Sequence, residues 1–364
     1  MDIKFTMKFR AFLFLALLLP TFVSAQEKPL TRAEYVQLLY AAEKVSAKRA
    51  ELAETVRRRG IDFALDDGMR GLTRTKTANN EEVKRALEDA DRRRKDPEGS
   101  KLPPSAELLD LIDKTRSNTW NALDEMPDFV VKQLISRSQA FAGTGNWRTY
   151  SNLVIAVSYS NEKGEQYRVL VKDGSPVQDA TTQNSYSGLD GATSGGEFVE
   201  DLRKIFDGES KTKFEAFATD VVRGRRAVVY NYEIDIQNNK KGGVGLKDEK
   251  ARPNGFSPAG EKGQIWIDRD AHRVLKIEYK LTNIEPNFPV KAVTKLIDYD
   301  MVEISGEKYL LPILSDFRGT VAGGGKMFEQ RNVIRFRNYQ KFGTDVVILD
   351  DDVVVPETKD VQKP

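Results

Sequence analysis

The side chains best suited to catalysis are sparse in this chain of 364 residues. It has one histidine and no cysteine. His272 stands in Asp268-Arg-Asp-Ala-His272, so an acid pair lies within four positions of it. A Ser-His-Asp triad would have to use this histidine. No serine stands in a Gly-x-Ser-x-Gly elbow, and the pattern predicts a surface histidine in a turn. The missing cysteines exclude thiol nucleophiles and thiolate metal sites, and a single histidine excludes a multi-histidine metal centre. Asp66-Asp67 and Asp350-Asp351-Asp352 could suggest calcium, but neither has the alternating ligands and distal glutamate of a calcium loop. They read as solvated acidic patches. The glycine-rich stretch Gly188-Leu-Asp-Gly-Ala-Thr-Ser-Gly-Gly-Glu197 precedes an apolar helical pattern. Free N–H groups at such a place can bind anions, but Glu197 opposes that and the lysine of a phosphate loop is missing. The expectation is a loop in which Thr193 or Ser194 caps the following helix. The basic runs Arg57-Arg58-Arg59 and Arg92-Arg93-Arg94-Lys95 end predicted helices, where cations offset the helix dipole. No metal and no cofactor is implied.

The chain begins as a secretory signal does. Lys4, Lys8 and Arg10 precede the apolar run Ala11 to Leu19, and Val23-Ser24-Ala25 supplies a small-residue cleavage site. Residues 1–25 are expected to be removed, leaving Gln26 first and no membrane-spanning segment. Lys and Arg number 57 against 55 Asp and Glu. The signal carries three basic residues and one acid, so its loss takes the net charge from +2 to 0. A neutral chain gives no electrostatic reason for nucleic acid as a partner. An exported chain without disulfides must stand on its own apolar cores.

Helical spacing dominates the N-terminal third. Tyr35, Leu38, Leu39, Ala42, Val45, Leu52, Ala53 and Val56 predict one helix over 31–59, opened by Thr31 with Glu34 at capping-box spacing and stopped by Gly60. A shorter helix is expected near Leu65 and another over Asn80 to Arg94. Residues 27–95 read as a small helical module and 96–104, with adjacent prolines, as a linker. A further helix is expected from Ser105 to Glu125.

After Pro127 the period becomes two. Phe129, Val131 and Ile135 alternate, then Leu153 to Tyr159 and Tyr167 to Val171. Hairpins follow around Arg223-Gly224-Arg225, Asp268-Arg269-Asp270-Ala271 and Ser305-Gly306, with last strands at Asp316 to Val321 and Met327 to Tyr339. Successive hairpins give an antiparallel meander with one apolar face, and the Ser105 helix and one over Glu197 to Phe206 are its candidate covers. Residues 237–263, rich in Gly, Lys and Pro, are expected to be a mobile loop. The segment 353–364 is expected to be a disordered tail.

Ile265-Trp-Ile-Asp-Arg-Asp-Ala-His-Arg-Val-Leu-Lys-Ile277 resembles the strand–turn–strand of outer-membrane lipoprotein carriers (LolA-like) and of the RseB-type periplasmic regulator. Met126-Pro-Asp-Phe-Val130, Gly145-Asn-Trp-Arg148, Gly191-Ala-Thr-Ser-Gly-Gly-Glu-Phe198, Ile297-Asp-Tyr-Asp-Met-Val302 and Phe336-Arg-Asn-Tyr-Gln-Lys-Phe342 are similar to uncharacterised exported proteins of acidobacterial type. Val56-Arg-Arg-Arg-Gly-Ile-Asp-Phe63 is similar to a helical module in exported proteins of the same bacteria. The resemblance implies an α+β fold over residues 105–352, a strongly curved antiparallel half-barrel sheet covered by helices, with carriers of this type holding acyl chains on the concave face. It transfers no catalytic residue.

These observations lead to a non-enzymatic, periplasmic or secreted binding protein that holds a lipid or lipoprotein acyl chain on the concave face. Trp147, Ile155, Val157, Trp266 and Ile277 are the candidate ligand-binding residues. The alternative is an envelope sensor or interaction protein that docks a protein partner through its N-terminal helices.

Overall fold

The computed structural model describes residues 27–45, 47–177, 186, 189, 191–240, 242–245 and 255–342. The signal segment, part of the glycine-rich stretch, Asp350–Asp352 and the tail 353–364 lie outside the described residues. The fold is mixed α+β: six helices and an open, antiparallel sheet of eleven strands.

The expected helix over 31–59 is two helices, α1 (Arg32–Lys44) and α2 (Ala47–Arg59), and the chain leaves helical geometry at Val45 (φ −133°, ψ 109°). A straight helix of that span would be about 40 Å long. It would string its apolar residues along a line. The break lets Leu39 and Ala42 meet Leu52, Ala53 and Val56 in one cluster. Helices α3 (Asp67–Lys76) and α4 (Glu81–Lys95) complete that cluster with Met69, Val83 and Leu87. The caps follow the sequence. Glu34 N donates to Thr31 Oγ1 (3.2 Å) and Thr31 N to Glu34 Oε2 (2.8 Å), and Asp66 and Asn80 accept from Met69 N and Val83 N. The basic runs do end α2 and α4, and their guanidinium groups pair with Glu82, Glu34 and Asp91.

Helix α5 (Ser105–Asp124) leads into the sheet. Its strands are β1 (Phe129–Phe141), β2 (Arg148–Ser160), β3 (Gly164–Lys172), β4 (Ser175–Pro176), β5 (Lys213–Val222) and β6 (Arg225–Ile234). After a small separate hairpin, β7 (Gly243–Gly245) with β8 (Phe256–Pro258), come β9 (Gly260–Asp268), β10 (Val274–Thr282), β11 (Val290–Ile304), β12 (Glu307–Gly323) and β13 (Lys326–Lys341). The order is β4-β3-β2-β1-β13-β12-β11-β10-β9-β6-β5, so the first and last long strands meet in the middle. The stretch 237–263 is therefore not wholly irregular: its arms form β7, β8 and the start of β9, and buried Asn239 donates to Ala259 O (2.9 Å).

Two strands expected near Lys308 and Asp316 are one, β12. Pro312, which cannot donate to a ladder, sits where the register against β11 slips by one residue: Asp298 faces Leu314 and Tyr299 faces Pro312. Similar slips occur at Lys132, Ser138, Ile155, Ala218 and Lys276. Each extra residue bends and twists its strand, which is how an eleven-stranded ribbon curves without closing.

The inner face is layered by register. One cross-strand row reads Leu153, Ile135, Ile334, Ser315, Ile297, Ile277, Ile265 and Tyr230 from β2 to β6. α5 and the short helix α6 (Glu200–Phe206) cover this row with Leu111, Ile112, Leu123, Leu202 and Ile205. The next row reads Ser151, Arg137, Asn332, Phe317, Lys295, Tyr279, Gly263 and Tyr232, and it is largely polar. The N-terminal helices lie on the outer face. Arg85 holds Glu278 (Nη2–Oε1 2.7 Å), Arg92 donates to Thr219 O, and Arg49 donates to Gly143 O (3.3 Å).

Ile297→Ala tests the covered row. The side chain is fully buried, so the loss is expected to be about 2–5 kcal/mol of unfolding free energy, read from denaturant midpoints at unchanged slope. A loss below about 0.5 kcal/mol would show the row to be loosely packed.

Candidate functional site

Above the covered row the inner face opens into a cavity of about 1300 Å³. Its apolar wall is Leu281, Val290, Val293, Phe317 and Val321, a cluster continued by Phe288, Ile284 and Val244. The opposite wall is the backbone of Gly191–Gly196 and one side of α6, and Gly242–Gly245 forms part of the rim. Gly319 faces inward between Val293 and Gln330, and a Cβ added there would meet nothing nearer than the Phe317 ring at 3.6 Å.

The floor is ionic. Lys295, 4% exposed at its side chain, points inward from β11 and is held by Asp201 Oδ2 (2.8 Å), Glu197 Oε1 (3.1 Å) and Gly195 O (2.7 Å). Asp201 also accepts from Lys204 Nζ (3.1 Å) and Tyr279 OH (3.1 Å). Lys204 reaches on to Glu261 (2.6 Å), whose other oxygen accepts from Tyr232 OH (2.6 Å). Burial alone would pull the Lys295 ammonium down, but Asp201 and Glu197 hold it well above the ordinary lysine range. Burial pushes the Asp201 carboxyl up, and Lys295 with Lys204 overcomes this and brings it below the usual value. Burial wins at Glu261, which is raised despite Lys204.

A second acidic pair flanks this floor. Glu165 on β3 accepts from Gly196 N (3.0 Å) and from the Tyr167 hydroxyl. Burial first, and then the charge of Glu197, push its carboxyl up to about 7. Ser194 does not cap α6; its hydroxyl donates to Glu197, and Ser315 Oγ lies 3.3 Å from the same oxygen. The helix starts later, at Glu200, with no side-chain cap.

The five residues expected to touch a ligand are not brought together. Ile155, Val157 and Ile277 lie fully buried in the main core beneath the helices. Trp266 is on the outer face with Leu275 and Val229, and its indole donates to Asp220 (2.8 Å). Trp147 is half-buried near the β1–β2 turn, its ring 5.9 Å from the Arg331 guanidinium. None of the five lines the cavity. His272 has a left-handed backbone (φ 50°), and its carbonyl accepts from Asn118 (3.1 Å). Asp268 is occupied by the N–H groups of Asp270 and Ala271 (3.0 Å each) and by Arg225 (2.8 Å). The turn is thus a structural one. Among the described residues no group of three or more acidic or histidine side chains is placed to hold a metal, and no helix is long and apolar enough to cross a membrane.

The charged floor does carry a signal in the sequence. Val293, Lys295 and Ile297 share one face of a strand, as do Glu261, Gly263 and Ile265. A charge at an inward position of an otherwise apolar alternation marks a buried polar site.

No family model matches the chain, and no curated protein matches it. Among solved structures it is similar to a DUF1329 family protein from Desulfovibrio piger (11% identity, TM-score 0.29, 65% of this chain and 95% of that one). It is also similar to LprF from Mycobacterium bovis (12%, 0.22, 68% and 98%) and to the MucB–MucA complex of Pseudomonas aeruginosa (11%, 0.19, 63% and 94%). At these identities and scores the likenesses carry nothing further to this chain.

Lys295→Met leaves Asp201 and Glu197 buried without their ammonium, and the expected cost is about 3–5 kcal/mol at neutral pH. The Asp201 carboxyl, which Lys295 holds down, should then rise in the folded state. The folded protein would bind protons that the unfolded chain does not, so the deficit should shrink as pH falls toward 4. Melting temperatures of both proteins across pH 4–8 check this; a deficit independent of pH would contradict the ionic floor.

Proposed function

We propose that this chain is an exported, non-enzymatic binding protein that holds a hydrophobic ligand, a lipid or a lipoprotein acyl chain, in the inner-face cavity. The observation that carries the proposal is the cavity itself. Its volume, about 1300 Å³, exceeds the roughly 300–1000 Å³ of sites for drug-sized ligands. One side is a continuous apolar wall. Apolar surface left open to water is costly at about 25 cal/mol per Å², and a ligand that covers the partly exposed Leu281, Phe317 and Val321 regains it. The floor charges are paired among themselves, so they fix the shape of the site and leave the apolar wall to supply affinity. The site lies between the 191–196 loop and β11–β12, one layer above the covered row that holds Ile277. An enzymatic role has less support, because Asp268, the acid of the turn beside the one histidine, is held by Asp270 N, Ala271 N and Arg225.

A fluorescent acyl probe tests the reading. Wild-type protein should bind it at micromolar levels or tighter, and Gly319→Phe or Val293→Trp should weaken binding at least tenfold by filling the cavity. Melting curves would show that both variants fold. Uptake unaffected by either substitution would place the ligand elsewhere, and absence of uptake would remove the proposal.

Export has a separate check. The chain expressed from Met1 in a Gram-negative host should be recovered from the periplasm beginning at Gln26. A cytoplasmic product that keeps its first 25 residues would overturn that part.

A further inference from the structure

The wall formed by Gly191–Gly196 is held down by side chains from four strands. Lys295 Nζ donates to Gly195 O (2.7 Å), Asn332 Nδ2 to Ala192 O (2.8 Å) and Arg137 to Ala192 O (3.4 Å), while Gln330 Oε1 accepts from Ala192 N (3.0 Å). The fourth strand, β3, contributes Glu165, which accepts from Gly196 N (3.0 Å). Lysine and arginine keep their charge over the whole biological range, and the amides have none to lose. Glu165 is the tie whose charge can change.

We infer that Glu165 is a proton-operated latch on the cavity: the protonated side chain favours the loop lying closed over the site, and its ionisation favours the loop lifting away. The surroundings of the carboxyl give the reason. With the loop down, Glu165 Oε1 is buried with no hydrogen-bond partner. The fully buried Glu197, carried by the loop's own continuation, faces it with like charge. The nearby cation, Lys295, is already engaged by Asp201 and Glu197. Glu200 of α6 also has its carboxyl beside Gly196; the remaining titratable neighbours are tyrosines: Tyr167 on the same strand, Tyr186, Tyr159, Tyr299 and Tyr339. Burial raises each of them, so they stay neutral here.

The sign follows from linkage. Burial and Glu197 bring the closed-state carboxyl to about 7, whereas a lifted loop would return it to water and to the ordinary range near 4.3. The closed form therefore binds the proton more tightly. Its advantage is complete at low pH, falls as pH rises from about 5, and is gone above 7. The ratio of open to closed loop should change by up to about two orders of magnitude over that interval. The latch bears on ligand release only if the cavity is the binding site argued above, but loop motion can be measured without any ligand.

The chain has no cysteine, so a nitroxide on Thr193→Cys reports this loop alone. In the full chain its mobile spectral component should grow between pH 5 and 7 and level off above. Adding Glu165→Gln, which keeps the shape and removes the charge, should hold the label immobile throughout. If that variant fails to fold, Glu197→Gln serves instead, and the amplitude of the change should shrink. Mobility independent of pH in the otherwise wild-type chain, or an identical pH profile in Glu165→Gln, would overturn the latch. Acyl-probe binding measured on the same samples separates the two ideas. Loop release without probe uptake keeps the latch and removes the ligand, and uptake without loop release does the reverse.

Discussion

The ammonium of Lys295 is the point on which the upper half of this molecule depends. It comes from the centre of the sheet, and its three acceptors belong to a loop (Gly195), to the residue that follows the loop (Glu197) and to α6 (Asp201). Without it, two carboxylates would be buried side by side, and the approach of those segments to β11 would be strongly disfavoured. The same ion system sets a boundary. Below it, Leu202, Ile205 and Phe206 of α6 sink into the isoleucine row and exclude water. Above it, the inner face carries Gly319 and the apolar wall, and the backbone of 191–196 is held off that wall by its ties to Lys295, Gln330 and Asn332. The cavity persists where apolar packing would otherwise fill the space.

Curvature supplies the other half of the constraint. A flat sheet would set Val293 and Val321 facing open water. The register slips at Ala218, Lys276 and Pro312 add bend and twist to the sheet, and the apolar wall faces the 191–196 loop across the cavity. They also change which residues face inward. On β5, Phe214 and Ala216 belong to the inner core, whereas beyond the bulge Ala218 and Val222 belong to the outer cluster with Trp266. That outer cluster lies beside Asp220, which Arg92 of α4 approaches at 3.8 Å. One irregularity thus serves both the inner cavity and the seat of the N-terminal helices.

Much of the fold is legible in the sequence because it rests on local chemistry. Thr31 and Glu34 announce a helix start, Pro104 and Pro127 bracket α5, and two-residue alternation gives nearly every long strand. The failures share a cause: bulges and breaks depend on partners distant in the chain. Nothing local to Val45 demands that a helix stop there; the need arises when Leu39 and Leu52 must reach one core. Nothing local to Lys308–Val321 says that a proline can be tolerated mid-strand, until β11 supplies the slip. The cavity-lining residues are a different set from the candidate ligand-binding residues. Aromatic size marks Trp147 and Trp266, and alternation marks Ile155, Val157 and Ile277, but both features are shared by packed cores. A site that must stay open is marked by residues that oppose packing, such as the inward Lys295 and Glu261 and the side-chain-free Gly319.

This difference bears on how such a cavity can work. An apolar pocket with only apolar neighbours closes by local collapse unless a ligand holds it open, and its empty state is then a different structure. Here the opposite wall is tied to the floor by hydrogen bonds to charged groups, which are stronger and more directional than apolar contacts. These ties order the floor without a contribution from a ligand, so binding there need not pay for that ordering. Such rigidity would also trap a ligand, unless some tie can be loosened under mild conditions. Of the groups that hold Gly191–Gly196, Lys295 is fastened by two carboxylates, and Gln330, Asn332 and Arg137 are insensitive to pH in the ordinary range. The carboxyl of Glu165, poorly solvated and beside Glu197, is the least secure of them. A rigid apolar site and one weak ionic tie at its edge are complementary features: the first favours holding, and the second provides a route to release.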